Sequence, residues 1–130
     1  MATLMSWGRY PVFPQTSQVS AWRGEVGITL SRMLQEYENI LPFGNGRSYG
    51  DSCLAASGQV LHTASLNKFI KVDWDAGIIL AEAGVSLDEL LKLSIPKGWF
   101  LPVTPGTKFV TLGGAIANDV HGKNHHLRGT

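Results

Sequence analysis

The sequence predicts an α+β fold of small mixed sheets flanked by a few short helices. Three observations carry that expectation. Runs of alternating apolar residues crowd together between positions 59 and 83, with a turn tripeptide between two of them. Amphipathic helical runs are few and short. The regular strand–helix–strand alternation of a doubly wound sheet is missing.

Residues 1–18 carry Gly8, Pro11 and Pro14 among polar neighbours and read as an extended lead-in. Val26, Leu30, Met33, Leu34 and Tyr37 then fall at helical spacing, which predicts a helix over about 24–37. Residues 39–43 form a short strand candidate, and Pro42 confines it to an edge or a strand end because proline has no amide to donate. Strands are expected at 59–63, 69–74 and 78–83, the last two joined through Asp75-Ala76-Gly77. Ser86-Leu87-Asp88-Glu89 is a capping box, so a helix is expected over about 87–94, ending before Pro96. Residues 99–101 read as a last short strand before Pro102 and Pro105. Thr111 caps a further helix that begins Leu112-Gly113-Gly114-Ala115.

Bulk properties narrow the function classes. The 130 residues make one domain at most, and 44% hydrophobic against 16% charged residues argues against disorder. A net charge of +1 provides no broad basic field for nucleic acid. The single Cys53 has no internal disulfide partner and reads as a small packing residue in a reducing compartment, which points to the cytoplasm. No run reaches the roughly 18 apolar residues of a membrane span, and positions 1–10 lack a signal-peptide core. The chain stops at Arg128-Gly129-Thr130 directly after its richest motif, as an N-terminal piece of a larger protein would.

The chemistry concentrates in two glycine-dense turns, Gly44-Asn45-Gly46-Arg47-Ser48-Tyr49-Gly50-Asp51 and Pro105-Gly106-Thr107 running on to Leu112-Gly113-Gly114 and His121-Gly122. Glycines let several backbone amides converge on phosphate oxygens, and Arg47 adds a fixed charge that can meet a phosphate bidentately. The first turn is not a Rossmann fingerprint, since Tyr49 stands where the third glycine would be and no amphipathic helix follows. The second turn places Gly-Gly at a helix start, where vacant amides and the helix dipole suit an anion. Tight helix–strand packing is the competing reason for those glycines. The expectation is two walls of one anion-binding cleft.

His121 and His125 stand four apart, which on a helix would turn both rings to one side. Gly122 and Asn124 disfavour a helix there and no acidic partner is at hand, so no metal is expected. A substrate-facing histidine and plain loop histidines remain the alternatives. His62 reads as structural. Asp73, Asp75, Glu82, Asp88 and Glu89 form no acid–base pair and read as a solvated strand edge and a helix start. Trp7, Trp22, Trp74 and Trp99 read as core residues.

With both turns in hand, the chain resembles the vanillyl-alcohol-oxidase type of FAD-linked oxidoreductases, whose cofactor domain is called PCMH-type. Ser6-Trp7-Gly8-Arg9, Gly46-Arg47-Ser48-Tyr49-Gly50-Asp51 and His121-Gly122-Lys123-Asn124-His125-His126 are similar to the decaprenylphosphoryl-β-D-ribose 2-oxidase branch. The resemblance implies that residues 1–130 are the N-terminal part of a PCMH-type FAD-binding domain, with the rest of that domain and the substrate (cap) domain lying outside. Residues 15–24 depart from the family pattern.

The resemblance also implies a cofactor site. Pro42, Phe43, Gly44, Asn45, Gly46, Arg47, Ser48, Tyr49, Gly50, Asp51 and Ser52 would wrap the FAD diphosphate. Gly106, Thr111, Leu112, Gly113 and Gly114, with Asn118, Asp119, Val120 and His121, would complete this part of the site. Many covalent relatives bear a flavin-linked histidine where this chain has Arg47, so FAD is expected to be held non-covalently. Tyr49 and His121 are implied as the residues facing substrate, and Lys123 as a contact for an anionic one.

The implied activity is oxidation of a secondary alcohol of a polyprenyl-phosphoryl sugar to a ketone by an FAD-dependent oxidoreductase acting on CH–OH groups. The 130-residue piece is expected to be inactive alone, and the longer protein to touch a membrane peripherally at most. An alditol or aldonolactone oxidase of the same family, or a non-catalytic nucleotide-binding fragment, are the alternatives.

Overall fold

The computed structural model describes residues 4–130, and the chain divides into two compact units, one reaching to Leu66 and one beginning at Asn67. In the first unit the order is β1 (Thr16–Val19), α1 (Val26–Met33), β2 (Leu41–Phe43) and β3 (Gln59–His62). The strands form a parallel ladder in the order β1-β3-β2, with Thr16 opposite Gln59 and Leu41 opposite Val60. The lead-in read as merely extended therefore holds a strand. The polar run Thr16-Ser17-Gln18 gave no alternation, because only one of the four β1 residues is even half-buried.

Strand β3 sits in the middle, and its two central residues Val60 and Leu61 are buried. Phe43, Ala55 and Val60 make the core, with Leu4, Leu41 and Cys53 packed against it. Pro42 lies on the edge strand, where its missing amide costs no ladder bond. Helix α1 is shorter than its apolar spacing suggests. A single 3-10 turn over Arg23–Glu25 precedes it, and turns carry the chain on to residue 37. Gln15 clamps Ala55 from both sides, its carbonyl accepting from the Ala55 amide at 2.9 Å and its amide donating to the Ala55 carbonyl at 3.2 Å.

The second unit contains β4 (Phe69–Asp73), β5 (Ile78–Ala81), α2 (Leu87–Ser94), α3 (Leu112–Ala117) and α4 (His125–Arg128). Strands β4 and β5 form an antiparallel hairpin whose turn is fixed by the Ala76 amide donating to Asp73 Oδ1 at 3.0 Å. Val85, Leu87 and Leu90 form the core, with Ile79, Ala81, Leu101, Val110 and Leu112 around them. The capping box on α2 is present: the Glu89 amide donates to Ser86 Oγ at 3.3 Å and the Ser86 amide to Glu89 Oε2 at 2.8 Å. The Ser86 hydroxyl donating to Glu89 Oε2 at 2.6 Å, and then the Ser86 amide, hold the Glu89 carboxyl below the usual carboxylate range.

Residues 99–101 form no strand. The Trp99 amide is spent on the Ser94 carbonyl at 3.1 Å, ending α2 and its following 3-10 turn, and Pro102 has no amide to extend a ladder. Two further expectations change. Glu82 is buried rather than solvated, since its carboxylate accepts from the Lys68 amide at 3.0 Å with Lys68 Nζ 4.0 Å away. None of the four tryptophans is a core residue: Trp7, Trp22 and Trp99 are 56%, 59% and 41% exposed and Trp74 is half-buried. Among the described residues no helix is long and apolar enough to cross a membrane.

Candidate functional site

The first glycine turn leaves β2 at Phe43 and lines an open cleft of about 560 Å³ within its own unit. Phe43, Gly44, Asn45, Gly46 and Arg47 form one wall; Leu4, Met5, Ser6, Trp7 and Arg9 form another, with His62 and Ala64 between. Gly46 is buried at φ +60°, and a Cβ there would overlap the Met5 carbonyl oxygen and press on the Phe43 ring. The turn and the segment over it fit together only because that side chain is absent. Their contact is sealed by the Trp7 amide donating to the Ser48 carbonyl at 2.9 Å.

The amides of Gly46, Tyr49 and Gly50 donate to no backbone carbonyl among the described residues, while that of Ser48 is directed at the Cys53 sulfur. Amides left open in a glycine-rich turn are what a diphosphate needs. Arg47 is exposed, its guanidinium 5.0 Å from the centroid of the Trp7 ring. Tyr49 is 78% exposed, and Ser52 Oγ donates to its carbonyl at 3.1 Å. Asp51 takes the Leu54 amide at 2.8 Å and so ends the turn. His62 packs edge-on against Phe43 at 5.5 Å, the structural role expected of it. Cys53 is half-buried, and burial pushes its thiol pKa up, as suits a packing residue.

The second glycine turn behaves otherwise. Thr111 caps α3, and the first-turn amides are all taken: Leu112 donates to Val85 at 2.7 Å, Gly113 to Ala83 at 2.8 Å and Gly114 to Thr111 Oγ1 at 3.1 Å. The vacant-amide argument for this helix start is therefore wrong. Gly113 is there because a Cβ would stand 2.9 Å from the Ala83 Cβ and 3.2 Å from its carbonyl oxygen. Close packing, the competing reason, explains it, though the helix packs against the turn that follows β5 rather than against a strand.

Gly106 lies exposed in open space. After α3, Asn118 Nδ2 donates to the Gly114 carbonyl at 2.8 Å, Asp119 takes φ +50°, and the Val120 amide returns to Ala115 at 3.0 Å. This redirects the chain to His121, which is exposed. His121 lies outside α4, so the two histidines four apart do not share a helix, although their rings meet edge-on at 5.4 Å. Gly122 is required by the Thr104 carbonyl oxygen, 2.5 Å from where its Cβ would lie.

The reading from sequence left Ser6, Trp7 and Arg9 out of the site although it singled out the motif they belong to. Their signal was the motif and the Arg9 charge; no periodicity marked them.

Comparison with known proteins identifies the family. The sequence pattern of the family described as FAD binding domain matches residues 22–130. The chain is 41% identical to decaprenylphosphoryl-β-D-ribose oxidase of Mycolicibacterium smegmatis over a 130-residue alignment, covering 98% of this chain and 28% of that protein. A stretch of 46 residues, 35% of this chain and 12% of the other, is 50% identical to an uncharacterized protein of Streptomyces coelicolor. A solved alkyldihydroxyacetonephosphate synthase superposes with a TM-score of 0.73 at 24% identity, over 89% of this chain and 22% of that one, a likeness of fold. The chain thus spans under a third of the length of the relatives it matches. On the family match and the 41% identity together, the chain belongs to the PCMH-type FAD-binding domains, and FAD is its cofactor.

Proposed function

We propose that this chain supplies the diphosphate-binding part of the FAD site in an oxidoreductase that converts a secondary alcohol of a phosphoryl-linked sugar to a ketone. The observation that carries the proposal is the set of amides at Gly46, Tyr49 and Gly50, which donate to no backbone carbonyl, in the same turn as the Arg47 guanidinium. Those donors neutralise a diphosphate without bringing any side chain into its way. When bound, FAD supplies the hydride acceptor.

The chain's own residues bind and orient. Residues 42–52 hold the diphosphate, and Arg47 offers no nucleophile for a covalent link to flavin, so the cofactor is held non-covalently. Gly106, Asn118, Asp119 and His121 add contacts from exposed surface, and residues 112–114 with Val120 add them from half-buried backbone rather than through vacant helix amides, with the buried Thr111 holding that turn in place. Tyr49 and His121, both exposed, orient the alcohol; a ring nitrogen of His121 takes the hydroxyl proton as the hydride leaves carbon. Lys123, exposed beside His121, favours an anionic substrate. The identity to a decaprenylphosphoryl-sugar oxidase supports that substrate class, and a polyprenyl tail would bring the longer protein to the cytoplasmic membrane surface. Residues 1–130 act here as one portion of a larger cofactor domain.

Titrating the chain with FAD and with riboflavin, and following flavin fluorescence, tests the binding reading. FAD should bind and riboflavin should bind far more weakly; equal affinity for both would remove the diphosphate from the argument. In the longer protein, His121→Ala should slow reduction of flavin by a phosphoryl-sugar alcohol while leaving FAD bound. Unchanged reduction would take the proton role away from His121.

A further inference from the structure

The cleft in the first unit has a second wall, the segment 4–9, and that wall has features that packing does not explain. Ser6 is 3% exposed, lines the cleft, and its hydroxyl finds no hydrogen-bond partner among the described residues. Buried hydroxyls without a partner are uncommon because each gives up its water for nothing. Arg9 lines the same cleft, is exposed, and holds φ +56°, a left-handed conformation disfavoured for any residue with a Cβ. The Arg9 amide closes a tight turn onto the Ser6 carbonyl at 3.1 Å, so the strained residue and the orphaned hydroxyl belong to one turn. That turn is fastened to the glycine loop twice, through the Trp7 amide to Ser48 and through the Trp7 ring under Arg47.

We propose that the Ser6–Arg9 turn is the second wall of the diphosphate site, taking the part that the start of α3 does not play. Each phosphate of a dinucleotide bears a negative charge. Arg47 from the loop meets one, and Arg9 from the facing turn meets the other. The Ser6 hydroxyl, turned about χ1 out of its sealed position, donates to a phosphoryl oxygen and so gains the partner it lacks. The inference rests on the FAD reading above and names residues that it did not contain.

The test is a titration of the chain and of Ser6→Ala and Arg9→Gly variants with FAD, riboflavin and inorganic diphosphate. Ser94→Ala, which removes the other buried unpartnered hydroxyl in the second unit, is the control. Each cleft variant should weaken FAD and diphosphate by about tenfold, the loss of one charge-assisted contact, and leave riboflavin unchanged. Without ligand the same variants should melt no lower than the parent, since one loses an unpaired hydroxyl and the other a strained φ. A purely structural role for these residues would give the opposite sign. Ser94→Ala should leave binding untouched. If both cleft variants hold FAD and diphosphate as tightly as the parent, the second wall is wrong while the FAD reading stands. A loss in Arg9→Gly alone would overturn the part given to Ser6. A parent chain that binds neither FAD nor diphosphate would overturn both readings together.

Discussion

The two glycine turns look alike in sequence and do different work. In the loop after β2, glycine at φ +60° lets the chain pass under the Met5 carbonyl while neighbouring amides stay open. At the start of α3, glycine lets a helix lie against Ala83, and every first-turn amide is already bonded. Both turns use glycine for a close approach, but only in the first do several neighbouring amides donate to no backbone carbonyl. Glycine density alone therefore does not mark an anion site; the destination of each amide decides it.

The largest expected effect comes from Gly46→Ala. A left-handed φ and the overlap with Met5 should together cost about 2–4 kcal/mol, read by urea unfolding, and FAD should no longer be retained. A stable variant that still binds FAD would dissolve the contrast between the turns. Gly113→Ala should cost about 1–2 kcal/mol, because overpacking against Ala83 outweighs the better helix propensity of alanine. Its folded fraction should bind diphosphate like the parent; a loss beyond that would restore α3 as an anion wall.

Ser86→Ala should cost about 1 kcal/mol through the lost cap on α2 and change no ligand affinity. The smallest effect is acid-dependent. Lys108 and then Lys92, through bonds at 2.6 and 2.7 Å, hold Asp88 below the usual carboxylate range, as Ser86 holds Glu89. Depressed carboxylates contribute their full stability above the ordinary range and lose it as pH falls through their lowered values. Melting temperature should therefore be flat down to about pH 5 and decline below about pH 4, less steeply in Ser86→Ala. A chain equally stable at low pH would mean these bonds contribute nothing in solution.

Legibility followed local physics. The capping box Ser86–Glu89, the hairpin through Gly77 and the edge position of Pro42 could be read from residues because each depends on neighbours within a few positions. Strand β1 could not, since its pairing with Gln59 lies forty-odd positions away and its side chains are mostly polar and exposed. The tryptophans and Glu82 misled for a related reason: composition gives average burial, and these residues depart from the average through particular partners. Of the site, the loop 44–52 was visible in its motif, whereas the turn at Ser6–Arg9 carried a motif without a stated role.

The order of residues determined by itself which backbone segments could dispense with side chains, where helices are capped, and to which cofactor family the motifs belong. Only the tertiary structure decided which of those bare segments keeps its amides open. Whether a donor is free depends on which carbonyl the fold brings within 3 Å of it, and at α3 those are the carbonyls of Ala83 and Val85, some thirty residues earlier in the chain.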